Sequence, residues 1–368
     1  MLGAADKLLR KRQSLLSKLD HLVATATKAS VGDSSHAGQR VAMRIWIKFC
    51  ILVCDVSPVR GKSKSGGAQS HEERMTDEWL LMRFATACSM QTCVGTAATY
   101  VSHVKSWHQI HHRVTLGPEA GCVGLARVIN GLRKLSKHRP RGQKLPISLD
   151  HLRQWDPILR HGSPDDRVFM AAAYSAFGGL LRASEYTSAT PTFDPQADLS
   201  RADIVFHPSI ENPEYCLLRL RPTKTDPKFE CRTPLMLPMD ASCLTCACRA
   251  LRDMILADPV PLSTQASTPL FRWHSCKEPV TYTQMLNSTH SLMRRIGCPS
   301  NQYGTHSFRI GGATALADAD CPDVIIQSLG RWRSACYRMY CRSSQGSVLR
   351  WGRVLMTHVA VPVAAHRN

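Results

Sequence analysis

Two stretches decide the reading of this chain: Thr305-His-Ser-Phe-Arg-Ile-Gly-Gly-Ala-Thr314 and Leu329-Gly-Arg-Trp-Arg-Ser-Ala-Cys-Tyr-Arg-Met-Tyr-Cys-Arg342. In the first, His306 and Arg309 are three apart, so on a helix they share one face. A guanidinium beside an imidazole suits a phosphate diester, whose transition state spreads negative charge over its oxygens. Gly311, Gly312 and Ala313 weaken a helix, so close packing is expected at that point. In the second stretch Gly330 breaks a helix, Trp332 brings an indole donor, and Tyr337 and Tyr340 follow in a basic helix. Tyrosine is a covalent nucleophile where neighbouring cations stabilise phenolate character. Taken singly, each stretch reads as well as a capped helix with a casual histidine, or as an amphipathic basic helix with structural aromatics.

Upstream, Gly178-Gly-Leu-Leu-Arg-Ala-Ser-Glu185 lets Arg182 emerge at the end of a strongly apolar helix, read over Asp166–Arg182. A buried arginine needs an anion or a carboxylate, and Glu185, three residues on, is placed to orient it. Cys216–Pro222, Thr223–Lys228 and Glu230–Leu237 read as strand, turn and strand. Leu218 and Leu220 alternate there with Arg219 and Arg221, giving one buried and one charged face. Lys224 falls at the turn, where an ammonium reaches over a surface for phosphate contact or proton donation. Cys243-Leu-Thr-Cys-Ala-Cys248 lacks a second half at zinc spacing, so structural thiols are favoured over a metal site. No metal and no cofactor is expected, because no carboxylate cluster or nucleotide loop is visible.

The 368 residues suggest two domains, and 43% hydrophobic residues suffice for a sizeable core. Lys plus Arg is 47 against 28 Asp plus Glu, a net charge of +19 that calls for a polyanion. Residues 1–150 hold 23 basic and 10 acidic residues against 24 and 18 in the remainder, so the excess is concentrated early. Its densest part is Arg133–Pro146, with six Lys or Arg, no acid, two prolines and a glycine: an interdomain linker, and a strap for phosphates.

Before the linker, helices are expected over Met1–Ala24, Val41–Val53, Thr76–Met90, Val94–Gln109 and Gly124–Leu135, with a loop over Ser57–Arg74 and no strand. His108, His111 and His112 are expected to face DNA or solvent. After it, Ser148–Arg160 is helical, and helices resume from Cys243 with breaks at Pro259–Pro269 and Gly297–Gly304. Met1–Arg12 lacks the apolar core of a leader, and Val41–Val56, the best membrane candidate, is interrupted by Arg44 and Lys48. An intracellular chain with reduced thiols and no membrane partner is the expectation, nuclear if the source is eukaryotic.

In this order, the four patches resemble the catalytic domain of the tyrosine recombinases, the phage integrase-like family. "LLRASE" resembles the first-arginine motif, "TKT" the hairpin lysine, "HSFRIGGAT" the His-x-x-Arg motif, and "LGRWRS…YRMY" the end of the site. The "GRWRS" wording is closer to recombinases of eukaryotic mobile elements of the Crypton and DIRS types. "TAATYVSHVKSWHQIH" is similar to a core-binding helix and "KLPIS" to the entry of the catalytic domain, so the resemblance covers roughly residues 40–345.

The resemblance implies a mainly α fold with a small antiparallel β-sheet: an α-helical core-binding domain followed by a mixed α+β catalytic domain. The divisions are an N-terminal helical extension over 1–35, the core-binding domain over 36–132, the linker over 133–146, the catalytic domain over 147–345 and a tail over 346–368. It makes Arg182 and Arg309 phosphate clamps, His306 the second-position histidine, Lys224 the general acid, Trp332 the third-position residue and Tyr340 the nucleophile. Tyr340 follows Trp332 by eight residues, and Tyr337, at five, sits too early. Contacts to double-stranded DNA are expected from Lys105, Arg133, Lys134, Lys137, Arg139, Arg141 and Lys144. The implied assembly is a homo-oligomer, a dimer on one site and a tetramer in synapsis, serving a transposable element. A type IB topoisomerase and a domesticated DNA-binding protein without catalysis remain as alternatives.

Overall fold

The computed structural model describes residues 17–19, 21–22, 25, 33–61, 70–118, 121–135, 143–221, 234–342, 349 and 353. It divides into two compact units, Met1–Arg141 and Gly142–Asn368.

Among the described residues, the first unit carries four long helices, α1 (Asp33–Leu52), α2 (His71–Gln91), α3 (Val94–His112) and α4 (Val123–Leu135). Helix α2 starts earlier than its apolar pattern predicts. Ser70 caps it and Glu73 reaches back to the Ser70 amide, so residues 71–74 of the expected loop form its first turn. Trp46, Phe49, Leu81, Phe84, Val101 and Val104 pack as one core, with the Trp46 and Phe84 rings edge to face at 5.1 Å. His108 corrects the expectation that it faces DNA or solvent: it is fully buried. Its Nδ1 lies 2.8 Å from the Val104 carbonyl and its Nε2 accepts from the Arg60 amide at 3.2 Å. The ring therefore ties the segment after α1 to α3. Burial, with the His112 charge behind it, lowers its pKa despite contrary backbone contacts.

The second unit holds α5 (Leu149–Arg160), α6 (Pro164–Gly178), the short α7 (Ala183–Tyr186), α8 (Ala247–Ala257), α9 (Tyr282–Arg295), α10 (Ser307–Asp318) and α11 (Asp323–Leu329). Its strands β1 (Ile204–His207), β2 (Tyr215–Leu218) and β3 (Leu235–Pro238) form one antiparallel sheet in the order β1-β2-β3. Cys216 pairs with Leu237 and Phe206. The expected hairpin thus supplies β2 and β3, and β1 is an addition to it. Helix α6 is central, with Val168 through Ala176 all buried. Ser163 caps it and Pro164 occupies its first turn, where no amide partner is lost.

The expected helix over Asp166–Arg182 is shorter than its apolar run. It ends at Gly178, and Leu180 turns the chain with a left-handed φ of 48°. Arg182 consequently precedes α7 as its N-cap and does not end α6. The break expected at Gly330 is present, but the basic helix expected to carry the two tyrosines after it is not an α-helix. Helix α11 stops at Gly330, and a separate 3₁₀ turn runs over Ala335–Met339. No described helix is long and apolar enough to cross a membrane.

Candidate active site

Three segments meet at one place in the second unit: the turn after α6, the start of α10, and the chain from Gly330 to Tyr340. The first is fixed by Glu185. Its Oε1 accepts from Arg182 Nη1 at 2.7 Å, and its Oε2 accepts from the Arg182 amide at 2.8 Å and from Arg331 Nη2 at 2.9 Å. Burial alone would raise the Glu185 pKa. Arg331 and then the Arg182 amide and guanidinium outweigh it, holding the carboxyl below its ordinary value.

The second segment is held by backbone contacts. The Ser307 carbonyl accepts from the Ile147 amide at 3.0 Å, and Tyr186 in α7 donates its hydroxyl to the Thr305 carbonyl at 2.9 Å. These bonds set His306 at the N-cap and Arg309 one turn inside α10. Gly311 and Gly312 allow the close approach that their cost to the helix predicts. A Cβ at Gly311 would overlap the Ile147 carbonyl, and one at Gly312 the Phe177 carbonyl.

Arg309 is completely buried. It donates from Nη1 to the Leu180 carbonyl and from Nη2 to the Gly330 carbonyl, joining the first and third segments. Desolvation and then the Arg182 and Arg331 charges push its pKa down to about 9, so it remains charged at neutral pH. Its Cζ lies 4.2 Å from the centre of the Trp332 ring and 5.5 Å from that of Tyr340. Trp332 thus presents its ring face to the guanidinium.

The Tyr340 ring is 5.0 Å from Trp332 and 5.2 Å from His306. Thr314, one turn beyond Arg309, donates its hydroxyl to the Tyr340 carbonyl at 3.2 Å. Burial, followed by the charges of Arg309 and Arg182, lowers the His306 pKa, so the imidazole is neutral at physiological pH. Tyr337 points elsewhere, with its hydroxyl on Asp323.

Arg182, His306, Arg309, Trp332 and Tyr340, distant in sequence, therefore converge. Lys224, Lys137, Arg139 and Arg141 lie outside the described residues. Lys105, in α3, directs its ammonium to the Cys122 sulfur at 3.2 Å. Arg133 and Lys134 are exposed at the end of α4, and Lys144 donates to the Asn301 carbonyl at 2.7 Å. Sequence reasoning gave no role to Arg331 or Thr314. The signal for Arg331 was its place beside the helix-ending Gly330, and for Thr314 its spacing of five from Arg309. Among the described residues no three His, Cys, Asp or Glu side chains are grouped to hold a metal ion.

Comparison with protein-family models gives no match, and comparison with curated proteins gives none either. Solved structures do match. A Tn1549 transposon integrase, in complex with transposon right end DNA, aligns with a TM-score of 0.53 at 13% identity, over 91% of this chain and 98% of that one. The XerH site-specific recombinase bound to a palindromic difH substrate, in its post-cleavage complex, aligns at 0.52 and 12% identity, over 85% of this chain and 76% of that one. At such identities the likeness is one of architecture: the chain is built on the tyrosine recombinase fold.

Proposed function

We propose that this chain is a site-specific DNA recombinase that cuts and rejoins strands through a 3′-phosphotyrosine intermediate on Tyr340. The carrying observation is that Tyr340, His306, Arg309 and Trp332 share one cluster, with Arg182 held beside it by Glu185 and Arg331. The Tyr340 oxygen attacks the phosphorus, a P–O bond to tyrosine forms and the bond to the 5′-oxygen breaks. Neutral His306 is the neighbouring group able to take the phenolic proton. Arg182 and Arg309 neutralise the pentavalent phosphorus, whose charge exceeds that of the diester. Lys224 delivers the proton to the departing 5′-oxygen, a role that rests on the motif resemblance. The phosphotyrosine bond conserves the energy of the broken one, so the reverse attack rejoins the strand without ATP.

The match to integrase and recombinase structures solved with DNA supports double-stranded DNA as the substrate. The same reading includes action as a dimer on one site and a tetramer in synapsis, mobilising a transposable element, in the nucleus if the source is eukaryotic. The test is a suicide substrate nicked beside the cleavage site. Wild-type protein should give a covalent adduct that survives denaturing electrophoresis, and Tyr340→Phe should bind the same DNA and give none. Adducts from Tyr340→Phe would overturn the assignment.

A further inference from the structure

Two tyrosines leave the 3₁₀ turn Ala335–Met339, and only Tyr340 joins the cluster of Arg309 and His306. Tyr337 is buried at 4% exposure, yet its hydroxyl is not idle. It donates to Asp323 Oδ2 at 2.6 Å and accepts from Arg338 Nε at 3.2 Å. Asp323 opens α11, so the bond links this turn to the helix whose last residue precedes Gly330. The backbone of Tyr337 carries the next link. Its carbonyl accepts from the Tyr340 amide at 2.8 Å and from the Cys341 amide at 3.3 Å. Its ring stands 6.3 Å from Trp332, in an apolar cluster with Leu180 and Ile326.

A 3₁₀ turn of five residues has poor internal hydrogen bonding, so tertiary anchors decide where it sits. Among the described residues, the Tyr340 end is held by the Thr314 hydroxyl on the Tyr340 carbonyl and by the Arg342 amide on Thr314, while the turn itself is anchored by the Tyr337 ring in its cluster and by Asp323, which takes the Tyr337 hydroxyl and pairs with Arg338 at 3.6 Å. A small rotation of the turn is magnified along the Tyr340 side chain. A misplacement of about 1 Å at the attacking oxygen costs on the order of 100-fold in rate.

We propose that Tyr337 and Asp323 are positioning residues whose hydrogen bond latches the turn and so presents Tyr340 to the site. This rests on the reading of Tyr340 as nucleophile. The bland alternative, that Tyr337 is an ordinary packed aromatic, assigns no work to its hydroxyl, and Tyr337→Phe separates the two because it keeps the ring.

The experiment measures single-turnover adduct formation on the nicked substrate at saturating protein, with DNA affinity measured separately. Tyr337→Phe and Asp323→Ala should each slow adduct formation by about 10- to 100-fold while affinity stays within about twofold. The double variant should be slower than the worse single one by no more than about twofold, because each substitution already removes the shared bond and otherwise loses only a contact to Arg338, an exposed side chain. Asp323→Asn, whose amide oxygen still accepts, should recover most of the rate. Wild-type rates in Tyr337→Phe, or multiplied defects in the double variant, overturn the latch while leaving Tyr340 as nucleophile. Adducts in Tyr340→Phe overturn the nucleophile reading instead. If Tyr337→Phe alone abolishes adducts, Tyr337 is the nucleophile and both statements fall.

Discussion

Replacing Glu185 with glutamine changes one oxygen for an amide nitrogen and removes one charge. Three donors converge on the carboxylate, two of them on Oε2. Glutamine offers a single acceptor oxygen, so its amide nitrogen must face a guanidinium or the Arg182 amide, donor against donor. The side chains concerned are 3% exposed for Glu185, 25% for Arg182 and 18% for Arg331, so water only partly compensates. A charged hydrogen bond contributes about 1.5–3 kcal/mol net, and breaking a buried pair costs about 3–5 kcal/mol. Allowing for the partial exposure of both arginines, Glu185→Gln should cost about 2–4 kcal/mol. At about 2–4 °C per kcal/mol for a unit of this size, Tm should fall by about 5–15 °C.

The pH dependence gives a second check. Because the Glu185 pKa is lowered on folding, its stabilisation is complete above the ordinary value of 4.5. It is lost as pH falls through the depressed folded value. The gap in Tm between wild type and Glu185→Gln, read by calorimetry, should therefore be widest near neutrality and close below pH 4.5. A gap that stays constant through the acid range, or a Tm unchanged at pH 7, refutes the view that the carboxylate charge holds Arg182 and Arg331 together.

Glycine substitutions should divide by surroundings. Gly131→Ala, with nothing near its Cβ, should stabilise by about 0.5–1 kcal/mol, while Gly311→Ala should cost about 1–3 kcal/mol and slow adduct formation, read by calorimetry and the suicide substrate. Wild-type stability in Gly311→Ala would rule out the close approach to Ile147. The lowered pKa of His108 means that the unfolded chain binds a proton first as pH drops below 6.5, so stability is full above that value and declines below it. The slope reaches about 1.4 kcal/mol per pH unit while the folded ring stays neutral, and urea titrations should find it shallower in His108→Gln. For Lys224→Ala, cleavage of ordinary DNA should fall while DNA with a 5′-bridging sulfur, a leaving group needing little protonation, is cut nearly as fast as by wild type. Equal defects on both substrates would reduce Lys224 to a DNA contact.

Local chemistry made some of this legible in the sequence. The spacing of three between Arg182 and Glu185 foreshadowed their ion pair, and the weak helix formers Gly311 and Gly312 signalled a close contact. What failed depended on backbone turns that leave hydrophobicity unchanged. Leu180 and Leu181 are buried in their turn as they would be in a longer α6, so the apolar run could not reveal the left-handed residue that ends the pattern. Strand β1 has four residues, with one face shown by Ile204 and Phe206 only, too short for an alternation to register. His108 sits beside His111 and His112 and reads as one of a polar run. Its burial, and its bond to the Arg60 amide 48 residues away, come from long-range packing that the run does not show.

Leu180 also accounts for the arrangement of charge. Its carbonyl, turned by the left-handed φ, accepts from both Arg309 and Arg331. Arg331 itself has a left-handed φ of 56°. For a non-glycine residue such a backbone persists only where surrounding contacts over-determine it. Those contacts are the two arginines, which bind the turn after α6 to the segment after α11. The structural staples are thus themselves cations: Arg182 and Arg331 pair with the Glu185 carboxylate, and Arg309 is held by backbone carbonyls beside them. Burial makes that excess of positive charge costly, as the lowered Arg309 pKa records. Under the proposed function, a phosphate diester beside Tyr340 would bring the missing negative charge, and its transition state would bring more. On that proposal, the same excess of positive charge would favour the reacting state over the resting one, which is the condition for electrostatic catalysis.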